Sequence, residues 1–140
     1  MGIPAIDLTD PVVYRHWTTD TIRFSDQDAA GHTNNVAIAA YCETGRVAYA
    51  YQVLLPDKQA GESFILARIT IDYRRESRWP GTLRIGTAPV RLGSTSVTLG
   101  TGVFNDDRCI ATAEAIVVFR QDGKPAALPE RIRARLADRG

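Results

Sequence analysis

The chain has almost no excess of either charge. Its 140 residues carry 17 basic and 16 acidic side chains, for a formal net charge of +1. A dedicated nucleic-acid binder carries a strong basic excess, so that class is set aside. Cysteine is scarce: Cys42 and Cys109 stand far apart in no paired motif. That pattern excludes a disulfide framework and reads as free, buried thiols in a reducing compartment. Only two histidines occur, His16 and His32, without cysteine or histidine neighbours at ligand spacing, so no metal site is expected. Long apolar runs are missing too. The longest such stretch contains Glu43 and Arg46 and cannot span a membrane. Residues 1–11 lack the basic-then-apolar order of a secretory signal. A soluble cytoplasmic protein, with neither nucleic acid nor membrane as partner, is the expectation. Hydrophobic residues make up 44 % of the chain. That suffices for one folded domain over residues 1–140.

What is present begins with a strand. Residues 17–25 are rich in β-branched and aromatic types, and Asp28-Ala29-Ala30-Gly31 then breaks the run. From about Asn35 to Leu55 the pattern is helical, with Asn34 or Asn35 as cap and Pro56 as stop. Its apolar residues leave almost no polar face, which predicts a helix buried on most sides. Four strand-like runs follow. In the first, Ile65, Ala67, Ile69, Ile71 and Tyr73 alternate with Leu66, Arg68, Thr70, Asp72 and Arg74. Turns at Trp79-Pro80-Gly81, Gly93-Ser94 and Asn105-Asp106-Asp107 then separate strands at 82–92, 96–104 and 109–120. Pro89 argues for an edge or a bulge. In the last strand Ala111, Ala113, Ala115, Val117 and Phe119 share one face. Residues 128–139 read as a short basic helix opened by Pro129. One long helix and five antiparallel strands make an α+β domain, the sheet curled around the helix.

The richest stretch is Arg23-Phe24-Ser25-Asp26-Gln27-Asp28-Ala29-Ala30-Gly31-His32-Thr33-Asn34-Asn35. It packs two carboxylates, a glycine, a histidine and three amides into the link between strand and helix. A carboxylate just before a helix start suits acyl chemistry, because the acid can attack or activate water while free helix N–H groups hold an oxyanion.

This stretch, followed by Ala40-Tyr41-Cys42-Glu43-Thr44-Gly45-Arg46, resembles the hotdog-fold acyl-CoA thioesterases, and within them the 4-hydroxybenzoyl-CoA thioesterase-like group. The resemblance covers roughly residues 15–120 in element order, with its specificity in residues 23–46. It implies an α+β hotdog fold, a five-stranded antiparallel sheet wrapped around a long central helix. It implies hydrolysis of an acyl-CoA thioester to a carboxylic acid and coenzyme A, with no cofactor beyond the coenzyme A of the substrate. It further implies a homodimer or a dimer of dimers with active sites at the subunit interface. The second acid of the Asp-x-Asp pair, Asp28, matches the family's catalytic carboxylate. The backbone N–H of Asn35 matches its oxyanion donor. His32-Thr33-Asn34-Asn35 stands where relatives acting on aromatic substrates carry a bulkier segment, which argues against an aromatic acyl group. Two rivals stand beside this reading: a non-catalytic acyl-thioester binding module, and a hotdog hydratase or dehydratase, whose motif Asp28 and His32 fit poorly.

Each residue also has a plainer role. Asp28 can be a turn former and Asp26 a hydrogen-bonded turn acid. His32 can position substrate or water, or bond the loop backbone. Glu43 can pair with Arg46 three residues on. Gly45 is costly inside a helix, by about 1 kcal/mol against Ala, so close approach of another backbone, across a dimer for instance, is expected there. Arg74 and Arg75 with Arg78, and Arg91 near Ser94, Thr95 and Ser96, can hold coenzyme A phosphates or form a solvated rim. Arg131, Arg133, Arg135 and Arg139 read as a solvated face.

Overall fold

A computed structural model describes residue 3 and residues 5–138. Strand β1 (His16–Ile22) leads to helix α1 (Asn35–Tyr49), which a π-helical turn over Ala50–Leu54 prolongs. Four long strands follow: β2 (Glu62–Tyr73), β3 (Gly81–Leu92), β4 (Ser96–Asn105) and β5 (Arg108–Gln121). A two-residue strand β6 (Lys124–Pro125) and helix α2 (Glu130–Ala137) complete the order. The sheet is antiparallel throughout, in the order β1-β3-β4-β5-β2, with β6 on β5. It curls around α1. This is the α+β hotdog architecture expected from the sequence, with β6 as an addition.

The first strand is shorter than the 17–25 read from composition. It ends at Ile22, because the Asp26 carboxylate accepts the Arg23 N–H at 2.9 Å and folds Phe24–Asp26 into a 3-10 turn. Helix α1 and its π turn end at Leu54, close to the expected 55. They are not buried all round. α1 lies over β1, β3 and β4, with Ile38, Tyr41 and Cys42 packed on Ile22, Leu83, Ile85 and Val103. Each fully buried side chain of this size stabilises the fold by roughly 1.5–3 kcal/mol. The opposite side faces solvent: Val36 is 79 % exposed and Tyr51 70 %. Glu43 stands on that solvent side, 3.7 Å from Arg46, so it is a surface ion pair and not a buried acid.

Gly45 has a reason inside one chain. A Cβ there would meet the Ile85 Cγ2 at 2.3 Å and the Thr87 Oγ1 at 3.2 Å. The close approach is to the side chains of β3, and not to a second backbone across a dimer.

The alternation read along β2 breaks at a bulge. The register with β5 shifts between Leu66 and Arg68, leaving Ala67 unpaired. Phe64, Leu66, Ile69, Ile71 and Tyr73 therefore oppose the inward residues Phe119, Val117, Ala115, Ala113 and Ala111. Ile65 falls on the outer face, away from Ile69 and Ile71. The inward Ala-Val-Phe face of β5 itself is as the sequence indicated, and every member is buried. The register of β3 likewise shifts between Pro89 and Arg91, which is the bulge that Pro89 called for. Residues 6–14 cross the outer face of β3 and β4, where Tyr14 fills the space beside Gly86 and Gly102 and its hydroxyl donates to the Leu8 carbonyl at 2.6 Å.

The arginines of α2 are engaged rather than merely solvated. Arg131 bonds Glu62, Arg135 reaches the Val53 carbonyl and Asp57, and Arg133 donates to the Gly93 carbonyl. Arg139 lies outside the described residues. These contacts tie α2 across the end of the π turn, where free carbonyls need donors. Burial pushes the Glu62 carboxyl up. The Gln59 N–H and the Arg131 guanidinium outweigh it and hold the group below its ordinary value of 4.5.

Two stability measurements follow from this packing. Gly45→Ala gains helix propensity but forces a methyl into Ile85, so it should lower stability by about 1–2 kcal/mol in a denaturant melt. Glu62→Gln should destabilise the protein at pH 7. A carboxylate whose folded pKa is depressed contributes stability above its ordinary value and loses it as pH falls through the folded value. The gap in melting temperature between Glu62→Gln and the parent should therefore close as pH falls from 4.5 through the lower folded value.

Candidate active site

The link between β1 and α1 is built by its own polar atoms. One Asp28 carboxylate oxygen, Oδ1, accepts the N–H of Ala30 at 2.9 Å and of His32 at 3.0 Å. The Asp28 backbone closes the same turn, its N–H donating to the His32 carbonyl at 2.8 Å and its carbonyl accepting the Gly31 N–H at 3.0 Å. Gly31 supplies the left-handed conformation this needs, at φ +82°. The second carboxylate oxygen, Oδ2, has no hydrogen-bond partner among the described residues.

Asp26 does different work. Its Oδ2 takes the Arg23 N–H and the Tyr41 hydroxyl, the latter at 2.5 Å, and its carbonyl takes the Asn34 N–H at 2.8 Å. Burial, and then the bond to this carboxylate, push the Tyr41 hydroxyl far above its ordinary pKa, so it stays a neutral donor. Hydrogen bonds to a charged group are worth about 1.5–3 kcal/mol. Asp26 is thus the hydrogen-bonded turn acid of the plainer reading.

Asn34 is the N-cap. Its side-chain oxygen accepts the Ala37 N–H at 2.6 Å and its carbonyl accepts that of Ile38 at 3.1 Å. The N–H groups of Asn35 and Val36 keep no acceptor among the described residues. They project from the positive end of the α1 dipole.

A segment distant in sequence completes the corner. The chain after β2 lies against the loop through a clasp: the Ser77 carbonyl accepts the Thr33 N–H at 2.8 Å, and the Ser77 hydroxyl donates to Thr33 Oγ1 at 2.7 Å. This brings Arg78 Nη2 to 2.9 Å from His32 Nε2, and Glu76 to 3.1 Å from the same nitrogen. A guanidinium only donates, so Nε2 accepts from Arg78 when the ring proton is on Nδ1. The Glu76 contact becomes a hydrogen bond only when Nε2 carries a proton.

A cleft of about 270 Å³ opens at this corner, lined by Asp28, His32, Asn35, Tyr73, Arg74 and Arg75 among others. Five of the residues singled out in the sequence therefore meet here. Arg91, Ser94, Thr95 and Ser96 do not join them. Gly81 pairs with Ile22 at this end of the sheet, while Arg91 lies ten residues farther along β3. At ~3.3 Å per residue that is roughly 30 Å away. The Ser94 carbonyl accepts the Leu128 N–H and the Thr95 carbonyl that of Phe119, which places this turn beside α2. Arg91 lines a separate outer-face cleft with Arg68 and Glu114. Sequence reading also missed Glu76, Ser77 and Tyr73, because their partners in the loop are long-range and leave no local pattern.

The profile of the thioesterase-like superfamily matches residues 22–136. The chain belongs to the thioesterase-like superfamily. Solved structures share its fold closely. A thioesterase of Thermus thermophilus, crystallised with coenzyme A and zinc, is 30 % identical with a TM-score of 0.78, over 88 % of this chain and 98 % of that one. The PA5185 protein of Pseudomonas aeruginosa is 25 % identical with a TM-score of 0.78, over 91 % of this chain and 93 % of that one. The uncharacterized protein YsmA of Bacillus subtilis is 30 % identical over 107 residues, 71 % of this chain and 70 % of its own length. The 23–35 loop thus lies wholly inside the span that the superfamily profile matches. Among the described residues, no helix of this superfamily member is long and apolar enough to cross a membrane.

Proposed function

We propose that this protein hydrolyses acyl-CoA thioesters to a carboxylic acid and coenzyme A, with Asp28 as the reacting carboxylate. The observation that carries the reading is one geometry: a carboxylate with one oxygen pinned and the other unbonded, beside two acceptor-free N–H groups at a helix start. Superfamily membership and the coenzyme A bound by the Thermus thermophilus relative support the substrate class.

In this reading the thioester carbonyl points at the Asn35 N–H. The oxyanion that forms there is stabilised by that donor and by the α1 dipole. Asp28 Oδ2 either attacks the carbonyl carbon, expelling the thiolate and forming an anhydride that water then opens, or takes a proton from the attacking water. His32, held between Arg78 and Glu76, lies on the rim where it can orient substrate or water. Arg74 and Arg75 stand beside the cleft as phosphate partners. We propose further that the working unit is a homodimer or a dimer of dimers. β2 is an outer strand of the sheet, its far edge unpaired among the described residues, and Leu66 and Tyr73 on its inward face are 42 % and 49 % exposed.

Two measurements test this. Asp28→Asn should keep fold and substrate binding yet lower kcat by about 10²-fold or more, the scale of a lost acid–base group. Wild-type turnover in Asp28→Asn, with Glu43→Gln inactive, would move the chemistry to the helix acid. Light scattering at micromolar concentration should show at least a dimer, and a monomer alone would contradict a shared site.

A further inference from the structure

Most guanidinium groups of this chain are engaged. Arg23, Arg46, Arg74, Arg131 and Arg135 meet carboxylates, and Arg84 lies over the Trp17 ring. Arg15, Arg78, Arg120 and Arg133 are hydrogen-bonded. Among the described residues, the side chains of only four arginines have no ion pair, hydrogen bond or ring contact: Arg68, Arg75, Arg91 and Arg108. They fall into two pairs, each lining one cleft. Arg68 and Arg91 lie on the outer sheet face. Arg75 and Arg108 line a larger cleft of about 650 Å³, with Thr9, Arg74, Asp107 and Cys109.

That second cleft adjoins the Asp28 cleft, because Arg74 and Arg75 line both. The chain fixes the junction firmly. The N–H groups of Arg74 and Arg75 both donate to the Ile110 carbonyl, at 2.9 and 3.2 Å, two residues beyond Arg108 on β5. Arg108 itself opens β5 straight after the two-residue Asp106-Asp107 turn, paired with Asn105. Arg74, Arg75 and Arg108 line it with one lining acid, Asp107, in a concave space of small-molecule size, and Arg74 is already engaged by Asp72 at 3.8 Å and by the charge of Asp7. Two of those cations have no internal partner, so the cleft favours an anion, and planar guanidiniums suit phosphate.

From this juxtaposition we infer that the cleft between Arg75 and Arg108 holds the phosphate groups of a coenzyme A thioester, with Arg108 as a phosphate ligand. The inference rests on the hydrolase reading above, and it locates the part of the substrate that does not react. The thioester sits at Asn35, the pantetheine arm runs from there toward Arg74 and Arg75, and the phosphates lie between these arginines and Arg108 on the β4–β5 hairpin. Contacts so far from the carbonyl act equally on ground and transition states, so they set KM and leave kcat alone.

The test compares an acyl-CoA with the same acyl group on pantetheine, which lacks the nucleotide. Arg108→Ala should raise KM for acyl-CoA about tenfold, the scale of a lost charge-assisted hydrogen bond. It should leave kcat unchanged and have no effect on acyl-pantetheine. Arg108→Glu should act more strongly and in the same direction. Calorimetric titration with free coenzyme A gives a second readout that needs no turnover. Hydrolysis of acyl-CoA with a KM indifferent to both Arg108 variants would overturn the inference and leave the hydrolase reading standing. Arg108-dependent coenzyme A binding without hydrolysis of any thioester would do the reverse. An equal loss on acyl-CoA and acyl-pantetheine would also overturn it, by showing that Arg108 serves the fold or the reacting end.

Discussion

The Asp26 carboxylate holds the end of the molecule where the clefts lie. One of its oxygens takes both the Arg23 N–H and the buried Tyr41 hydroxyl, while its carbonyl takes the Asn34 N–H. Strand end, helix body and helix cap therefore meet at one residue. Because Tyr41 is 1 % exposed, the position of the loop is set by the same burial that seats α1 on the sheet. A flexible acid-rich loop would leave Asp28 and the helix start in no fixed relation. Here their geometry follows from core packing.

Division of labour between the two acids follows from that arrangement. Asp26 spends its lone pairs on the protein and is partly shielded. Asp28 anchors one oxygen on its own turn and keeps the other open to the cleft. The same logic separates the arginines. Those of α2 meet carbonyls and carboxylates and brace the π turn, whereas Arg75 and Arg108 keep their charge available. Within one chain of net charge +1, the two sets differ in whether the fold already supplies a partner.

Much of the architecture was legible because apolar patterning carries it. The inward face of β5, the extent of the long helix, the cap at Asn34 and the bulge near Pro89 all have local causes. The Asp28–Asn35 pairing was legible as well, since a short link cannot carry its ends far apart. The errors have physical reasons too. A single unpaired residue, Ala67, reverses which side chains face inward in the part of β2 before it, and periodicity alone does not reveal a bulge. Val36 and Val47 of α1 and Tyr51 of the π turn are apolar yet exposed, because composition records polarity and not whether a neighbour is present. Gly45 was rightly marked as a close approach, but only the packed sheet identified Ile85 as what it approaches.

The sequence by itself determined the element order, the buried face of each regular strand and the acid-bearing turn ahead of the helix. Those depend on side-chain period, capping chemistry and turn residues that act over a few positions. Tertiary structure alone decided which arginines share a cleft with Asp28. Arg74 and Arg75 reach it, Arg91 lies near the far end of a twelve-residue strand with Ser94, Thr95 and Ser96 beyond it, and Arg108 enters only the adjoining cleft, from a hairpin. Strand pairing sets that distribution. A register between segments distant in the chain places charges side by side or roughly 30 Å apart, and no local pattern encodes the difference.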